Sequence, residues 1–241
     1  MKASQPRWAD VTAVFGGRFD PPHQGHLEAV RGLFANPGVR RVLVLPSPTP
    51  PHKPAAASAE QRLAMTRLTF QPSLDNRLPA EVQIDLREFE RSHAKPSQPT
   101  YSFDTLSEMR REYGETLAFV IGTDQLENLS KWHRFPEILG LCHWIVLERK
   151  DSNAAKGLKT LSEWEASGLA ARGPASSWSL KPAFGMPKTS LILIPTPARA
   201  ISSTAIREAL ALKGEVPENQ LPAAVYAYLK NGGVYGITRR D

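Results

Sequence analysis

Two histidines, His23 and His26, stand three residues apart in GGRFDPPHQGH, residues 16–26. Imidazole N–H groups can hold phosphate oxygens, and residues three apart share one face of a helix. The run VTAVFG at 11–16 reads as a strand, and Gly16-Gly17 lets the backbone turn tightly and approach a ligand. Pro21-Pro22 then leads into a helix near Gln24, whose N-terminus offers N–H donors and positive potential to an anion. Gly25, between the histidines, removes a side chain that would obstruct a nucleotide. A zinc site would need a third ligand, and the segment supplies none.

A second anion site is written at 201–207, ISSTAIR. Ser202, Ser203 and Thr204 are good N-cap residues, so their hydroxyls and the N–H groups of a helix start can face phosphate. Arg207 falls about one turn in, where its fork of donors reaches back to the same oxygens. Two anion sites on one chain suit a polyphosphate.

Short apolar runs that alternate with helical patterns must position these groups. Strands are expected at 11–16, 41–46, 116–122, 142–148 and 190–195, with a weaker one at 81–85. Continuous apolar runs suit strands buried on both faces of a parallel sheet. Helices are expected between them. The first carries Leu27, Val30, Leu33 and Phe34 and stops at Pro37-Gly38. The second starts at Ser58, with Gln61 completing a capping box and Leu63, Thr66 and Phe70 on one stripe. The third runs from about Tyr101 to Tyr113 and ends at Gly114. Two more lie near the C-terminus, one with Ile206, Ala209 and Leu210 before Lys213-Gly214, the other over about 222–230. Together these suggest an α/β fold, a parallel sheet covered by helices. The proline-rich stretch 46–58 reads as a loop lining a site. Residues 150–189 read as an insertion, with a short helix around Leu158–Ala166, inside a single domain over 1–241.

Lys plus Arg outnumber Asp plus Glu by 30 to 24, a net charge of +6 that favours anionic partners. The charges form no long basic run, so phosphorylated small molecules account for the balance without nucleic acid. No apolar run approaches the roughly 20 residues of a membrane span, and the polar start MKASQPRWAD carries no apolar signal core, so a cytoplasmic enzyme is expected. The single cysteine, Cys142, sits in LGLCHWIVL and reads as a small buried hydrophobe.

The pattern GxFxPxHxGH resembles the first motif of the nucleotidyltransferase superfamily related to class I aminoacyl-tRNA synthetases, and ISSTxIR is similar to its second. The KMSKS of the synthetases does not occur. Pro50-Pro51-His52-Lys53, PTYSFDTL at 99–106, Gly122-Thr123-Asp124 and Trp132-His133 extend the likeness to the bacterial nicotinate mononucleotide adenylyltransferases, from about residue 12 to residue 230. The resemblance implies a Rossmann-like doubly wound parallel sheet with helices on both faces, and AMP transfer from ATP, with Mg²⁺, to nicotinate mononucleotide, by a monomer or small homo-oligomer. It implies catalytic roles for His23, His26 and Arg207. ATP would be held by Gly16, Gly17, Arg18, Phe19, Gly25, Lys53, Asp124, Arg149, Ile201, Ser202, Ser203 and Thr204. The acceptor would be held by Tyr101, Ser102, Trp132 and His133, with Trp132 stacked on the pyridine ring. No protein side chain is expected to ligate the metal.

Two departures from the family pattern stand out. Arg18 replaces the usual Thr of GGTFDP, and either contributes a phosphate contact or points outward. Thr100-Tyr101-Ser102 replaces SYT and keeps the hydroxyls. The rivals are a sister enzyme acting on nicotinamide mononucleotide, phosphopantetheine or glycerol phosphate, and a non-catalytic nucleotide- or RNA-binding regulator.

Overall fold

The computed structural model describes residues 8–35, 38–48, 56–71, 78–96, 98–149, 154–182, 185–196, 198–199, 201–216, 219–232 and 234–236. Lys53 and most of the proline-rich loop lie outside them. Two compact units divide the chain. One comprises residues 1–15, 32–42 and 101–197, the other residues 16–31, 43–100 and 198–241.

The strands are β1 (Val11–Gly17), β2 (Val39–Pro46), β3 (Val82–Ile84), β4 (Leu117–Gly122), β5 (His143–Arg149), β6 (Ala170–Arg172), β7 (Ser177–Leu180) and β8 (Thr189–Thr196). They form an eight-stranded sheet of order β3-β2-β1-β4-β5-β8-β7-β6. From β1 the order runs one way to β2 and β3 and the other way to β4 and β5. Right-handed crossovers in opposite directions put helices on opposite faces, as in a doubly wound fold.

In the first unit β1, β4, β5 and β8 are parallel, with Val14 opposite Phe119, Val120 opposite Ile145 and Val146 opposite Leu193. Ala13, Val14, Ile145 and Val146 are fully buried, which is why these strands read as unbroken apolar runs. Helices α4 (Ser102–Tyr113), α5 (Thr123–Asn128) and α6 (Ala154–Ala166) belong to the same unit. Gly114, at φ 60°, ends α4 where the sequence places its stop. Helix α5 was not expected, since its six residues are too few to show a period.

Residues 154–180 are more regular than their composition suggests. Helix α6 leads to β6 and β7, which extend the sheet in antiparallel register on β8. Trp178 is buried and donates its indole N–H to Glu165 at 2.6 Å, which fixes α6 to β7. Cys142 is fully buried, and burial pushes its thiol pKa well up, so it remains a thiol.

His143 gives this unit a pH-dependent contact. Its Nδ1 accepts the Ser190 N–H at 3.0 Å, and its ring packs on Trp8. Burial, then the Arg110 charge, lowers its pKa below the ordinary value. The folded state therefore favours the neutral ring. This contribution is complete above about pH 6.5 and is lost as pH falls below it. Glutamine keeps an acceptor but does not titrate. The stability gap between wild type and His143→Gln, from denaturant melts, should narrow or reverse between pH 8 and pH 5.5. A constant gap would remove His143 from the pH response.

The second unit holds β3 and the helices α2 (Ala59–Phe70), α3 (Arg87–Ala94), α7 (Ser203–Lys213) and α8 (Ala223–Gly232). The end of β2 and most of α1 (Gln24–Leu33) also belong to it. Met65, Ile206, Leu210, Leu221, Val225 and Leu229 form one core cluster. The capping box of α2 is present, with Ser58 and Gln61 bonding reciprocally. The buried face of α2 differs from the expected one. It carries Arg62, Met65, Thr66, Thr69 and Phe70, while Leu63 is half-buried.

Candidate active site

The first motif begins where β1 ends. Gly17 carries a carbonyl that accepts the Ser47 N–H at 2.9 Å. A Cβ on Gly17 would lie 2.8 Å from the Phe19 ring, so glycine is required by that ring. Phe19 takes a left-handed backbone, φ 49°, and buries its ring against Phe70 and the edge of His26. The side chain of Phe19 is thus core, and any ligand contact there falls to backbone.

His23 and His26 come together as expected. Their rings stack at 3.7 Å, and His26 Nδ1 accepts the His23 N–H at 3.2 Å. An acceptor at Nδ1 puts the proton of the neutral His26 ring on Nε2. The two rings differ in exposure. His23 is 2% exposed, whereas His26 is half-buried and reaches the surface. Gly25 is also required by its protein neighbours. A Cβ there would lie 2.8 Å from the Arg199 carbonyl and 3.2 Å from the His23 ring.

The second motif is bonded directly to the first. Ser202 caps α7 by accepting the Ala205 N–H. Ser203 Oγ donates to the Pro21 carbonyl at 2.9 Å. Arg207 donates to the Asp20 carbonyl at 2.7 Å and to Thr204 Oγ1 at 3.3 Å. Ile201 packs its side chain into the core cluster. Arg199 forms an ion pair with Glu28 at 2.7 Å, and its backbone N–H donates to the same carboxylate. Burial works against the Glu28 charge, but the Arg199 contacts outweigh it and hold the carboxyl below its ordinary pKa.

Two residues at the centre of this arrangement were not picked out from sequence. Asp20, 2% exposed, accepts from the Ala56 and Ala57 N–H groups and from the Tyr235 hydroxyl. Arg62, 1% exposed, donates to the carbonyls of Arg18, Ser47, Pro48 and Ala57. The Asp20 signal lay in the FDP of the motif itself. Arg62 gave none, because a charged residue four positions after a cap reads as solvent-facing. Arg18 leans toward Asp20, Nε to Oδ2 4.0 Å, with its side chain 24% exposed.

The remaining expected residues belong to the first unit. Strand β4 ends at Gly122, which leaves Asp124 exposed in the first turn of α5. Tyr101 is the N-cap of α4 and Ser102 its first residue. Tyr101 stacks on His133, ring centroids 4.3 Å apart, and Phe103 meets the same imidazole edge-on. Trp132 is half-buried, with Phe119 and Trp144 around it. Arg149 ends β5. Tyr101, Ser102, Phe103 and His133 therefore form one aromatic and polar cluster, beside a Trp132 held by its own neighbours.

The cytidylyltransferase-like family model matches residues 14–209. A "probable nicotinate-nucleotide adenylyltransferase" of Serratia proteamaculans is 37% identical over 226 residues, covering 92% of this chain and 94% of that protein. The protein so named in Sodalis glossinidius is 36% identical, with coverages of 93% and 97%. Among solved structures, the nicotinic acid mononucleotide adenylyltransferase of Plasmodium falciparum, complexed with NaAD, superposes with a TM-score of 0.69. It is 16% identical and covers 96% of this chain and 100% of its own. That likeness carries the fold. Among the described residues no helix is long and apolar enough to cross a membrane.

Proposed function

The chain belongs to the cytidylyltransferase-like family, and we propose that it transfers AMP from ATP to nicotinate mononucleotide, giving nicotinate adenine dinucleotide and pyrophosphate. The observation that carries the proposal is the bonding of the two anion motifs, Arg207 to the Asp20 carbonyl and Ser203 to the Pro21 carbonyl. It gathers a histidine N–H, an N-cap and a guanidinium into one unit. The names of the relatives supply the substrates.

In this reading a 5′-phosphate oxygen of the mononucleotide attacks the α-phosphorus of ATP in line. The new P–O bond forms as the bond to the bridging oxygen of pyrophosphate breaks. The attacking phosphate, with a second pKa of about 6, is largely dianionic at pH 7, so no general base is needed. Catalysis then rests on position and on charge stabilisation. His26 donates Nε2–H to the reacting phosphate, and His23 backs it. Arg207 and the 202–204 cap hold the leaving pyrophosphate. Lys53 and Arg149 add positive charge, and Gly16, Gly17 and Gly25 let backbone approach the nucleotide. Asp124 contacts ribose hydroxyls, Trp132 offers a face to the pyridine ring, and the backbone near Ser102 and His133 takes the carboxylate.

Magnesium fits this donor set as an ion carried on phosphate oxygens. The Asp20 carboxylate is committed to Ala56, Ala57 and Tyr235. Among the described residues no three His, Cys, Asp or Glu side chains gather around a metal position. When bound, the ion would neutralise phosphate charge, and the residues above would orient what it binds.

The test is pyrophosphate release from ATP and Mg²⁺ with each acceptor in turn. A strong preference for nicotinate mononucleotide is expected. Preference for nicotinamide mononucleotide would keep the chemistry and overturn the carboxylate pocket.

A further inference from the structure

We propose that Tyr235, near the end of the chain, is a positioning residue for the phosphate site, its hydroxyl fixing Asp20 and, through Asp20, the first motif and Arg207. The inference rests on the adenylyl-transfer reading for its consequence, and on the bonding alone for its mechanism.

Asp20 is a buried carboxylate, and a buried charge persists only where donors replace water. Tyr235 Oη donates to Asp20 Oδ1 at 2.7 Å, beside the Ala57 N–H at 3.2 Å, while the Ala56 N–H reaches Oδ2 at 2.9 Å. Two of these donors come from the stretch that opens α2, and the third comes from the C-terminal segment. The backbone of Asp20 is equally committed. Its carbonyl accepts Arg207, and the carbonyl of the next residue, Pro21, accepts Ser203. A shift of Asp20 therefore moves the acceptors of Arg207 and Ser203, without any intervening element.

Tyr235 is itself held in an unusual way. It sits in a one-turn 3₁₀ segment, Val234–Gly236, with a left-handed backbone at φ 62° and ψ 28°. Such a conformation in a bulky residue is strained and survives where surrounding contacts fix it. Val234, 5% exposed, supplies them by packing into the cluster of Met65, Ile206 and Leu229, with the Tyr235 ring against the same cluster. Burial, together with the hydrogen bond to Asp20 and its negative charge, raises the phenol pKa, so the hydroxyl keeps its proton as a donor.

The test compares Tyr235→Phe with Val225→Ala, a buried member of the same cluster. The first removes one hydroxyl and keeps the ring. The second loosens the same core cluster and leaves the hydrogen bond. ATP affinity is measured by titration, and steady-state constants with ATP, Mg²⁺ and nicotinate mononucleotide. Tyr235→Phe should weaken ATP binding roughly tenfold, because it removes a hydrogen bond to a charged group. Its KM for the mononucleotide should be unchanged. Val225→Ala should lower the melting temperature and leave ATP affinity near wild type. Wild-type ATP affinity in Tyr235→Phe, or equal losses of affinity in both variants, would overturn the proposal. Absence of turnover in the wild type would count against the proposed function, and the affinities would still decide the role of Tyr235.

Discussion

Replacing His26 by alanine should lower kcat about 10²–10³-fold while the protein still folds, the usual loss for one donor at a site of developing charge. The geometry gives His26 that role more clearly than its partner. Its Nδ1 is tied to the His23 N–H, so the ring cannot rotate freely and Nε2 is left to donate. It is half-buried, whereas His23 is 2% exposed. The variant loses stacking on His23 and an edge contact with Phe19, which lowers stability modestly. A melting curve separates that loss from the kinetic one. Near-normal turnover in a folded His26→Ala protein would remove the residue from the mechanism.

Arg62→Met should destabilise the protein by on the order of 4 kcal/mol, because it breaks a buried hydrogen-bond network. Methionine fills much of the stem volume but offers no donor. Four carbonyls, those of Arg18, Ser47, Pro48 and Ala57, then lose their partner in the interior. Each orphaned buried acceptor costs about 1–3 kcal/mol before any water or backbone shift relieves it. For a chain of this length the melting temperature should fall by roughly 10 °C. A fall of only a degree or two would mean that the carbonyls find other donors easily. The guanidinium pKa is lowered by burial, and the Asp20 charge opposes that effect. Lysine would therefore keep the charge without the fork that joins the four acceptors.

Much of this fold could be read from the chain because local signals agreed with burial. The β4 run and the middles of β5 and β8 are apolar and pair in parallel with one another. Ser58 with Gln61, Gly114 after Tyr113, and Gly214 after Lys213 mark helix ends where they occur. The signals failed where tertiary contacts override pattern. Helix α3 is mostly charged and buries only Glu88 and Phe89. Strands β6 and β7 are three and four residues long, in a stretch whose Ser, Gly and Pro content suggests loop. The face of α2 was read in part: Thr66 and Phe70 turn inward as expected, but Arg62 and Thr69 join them while Leu63 is only half-buried.

The candidate site divides in the same way. His23, His26, Ser203 and Arg207 carry a spacing that announces phosphate, and they lie together in one unit. Asp20 and Tyr235 are joined across 215 positions of sequence, a contact that no local period can signal. Gly25 has a packing reason that no local signal carries, since a Cβ there would meet the Arg199 carbonyl.

The most direct test of the central claim follows the fate of ATP labelled at its α-phosphorus, with Mg²⁺ and nicotinate mononucleotide. The account predicts that the label appears in a dinucleotide, with unlabelled pyrophosphate released in equal amount. Label retained in ADP, or left in unreacted ATP while the nucleotide binds, would contradict attack at the α-phosphorus and with it the proposed activity.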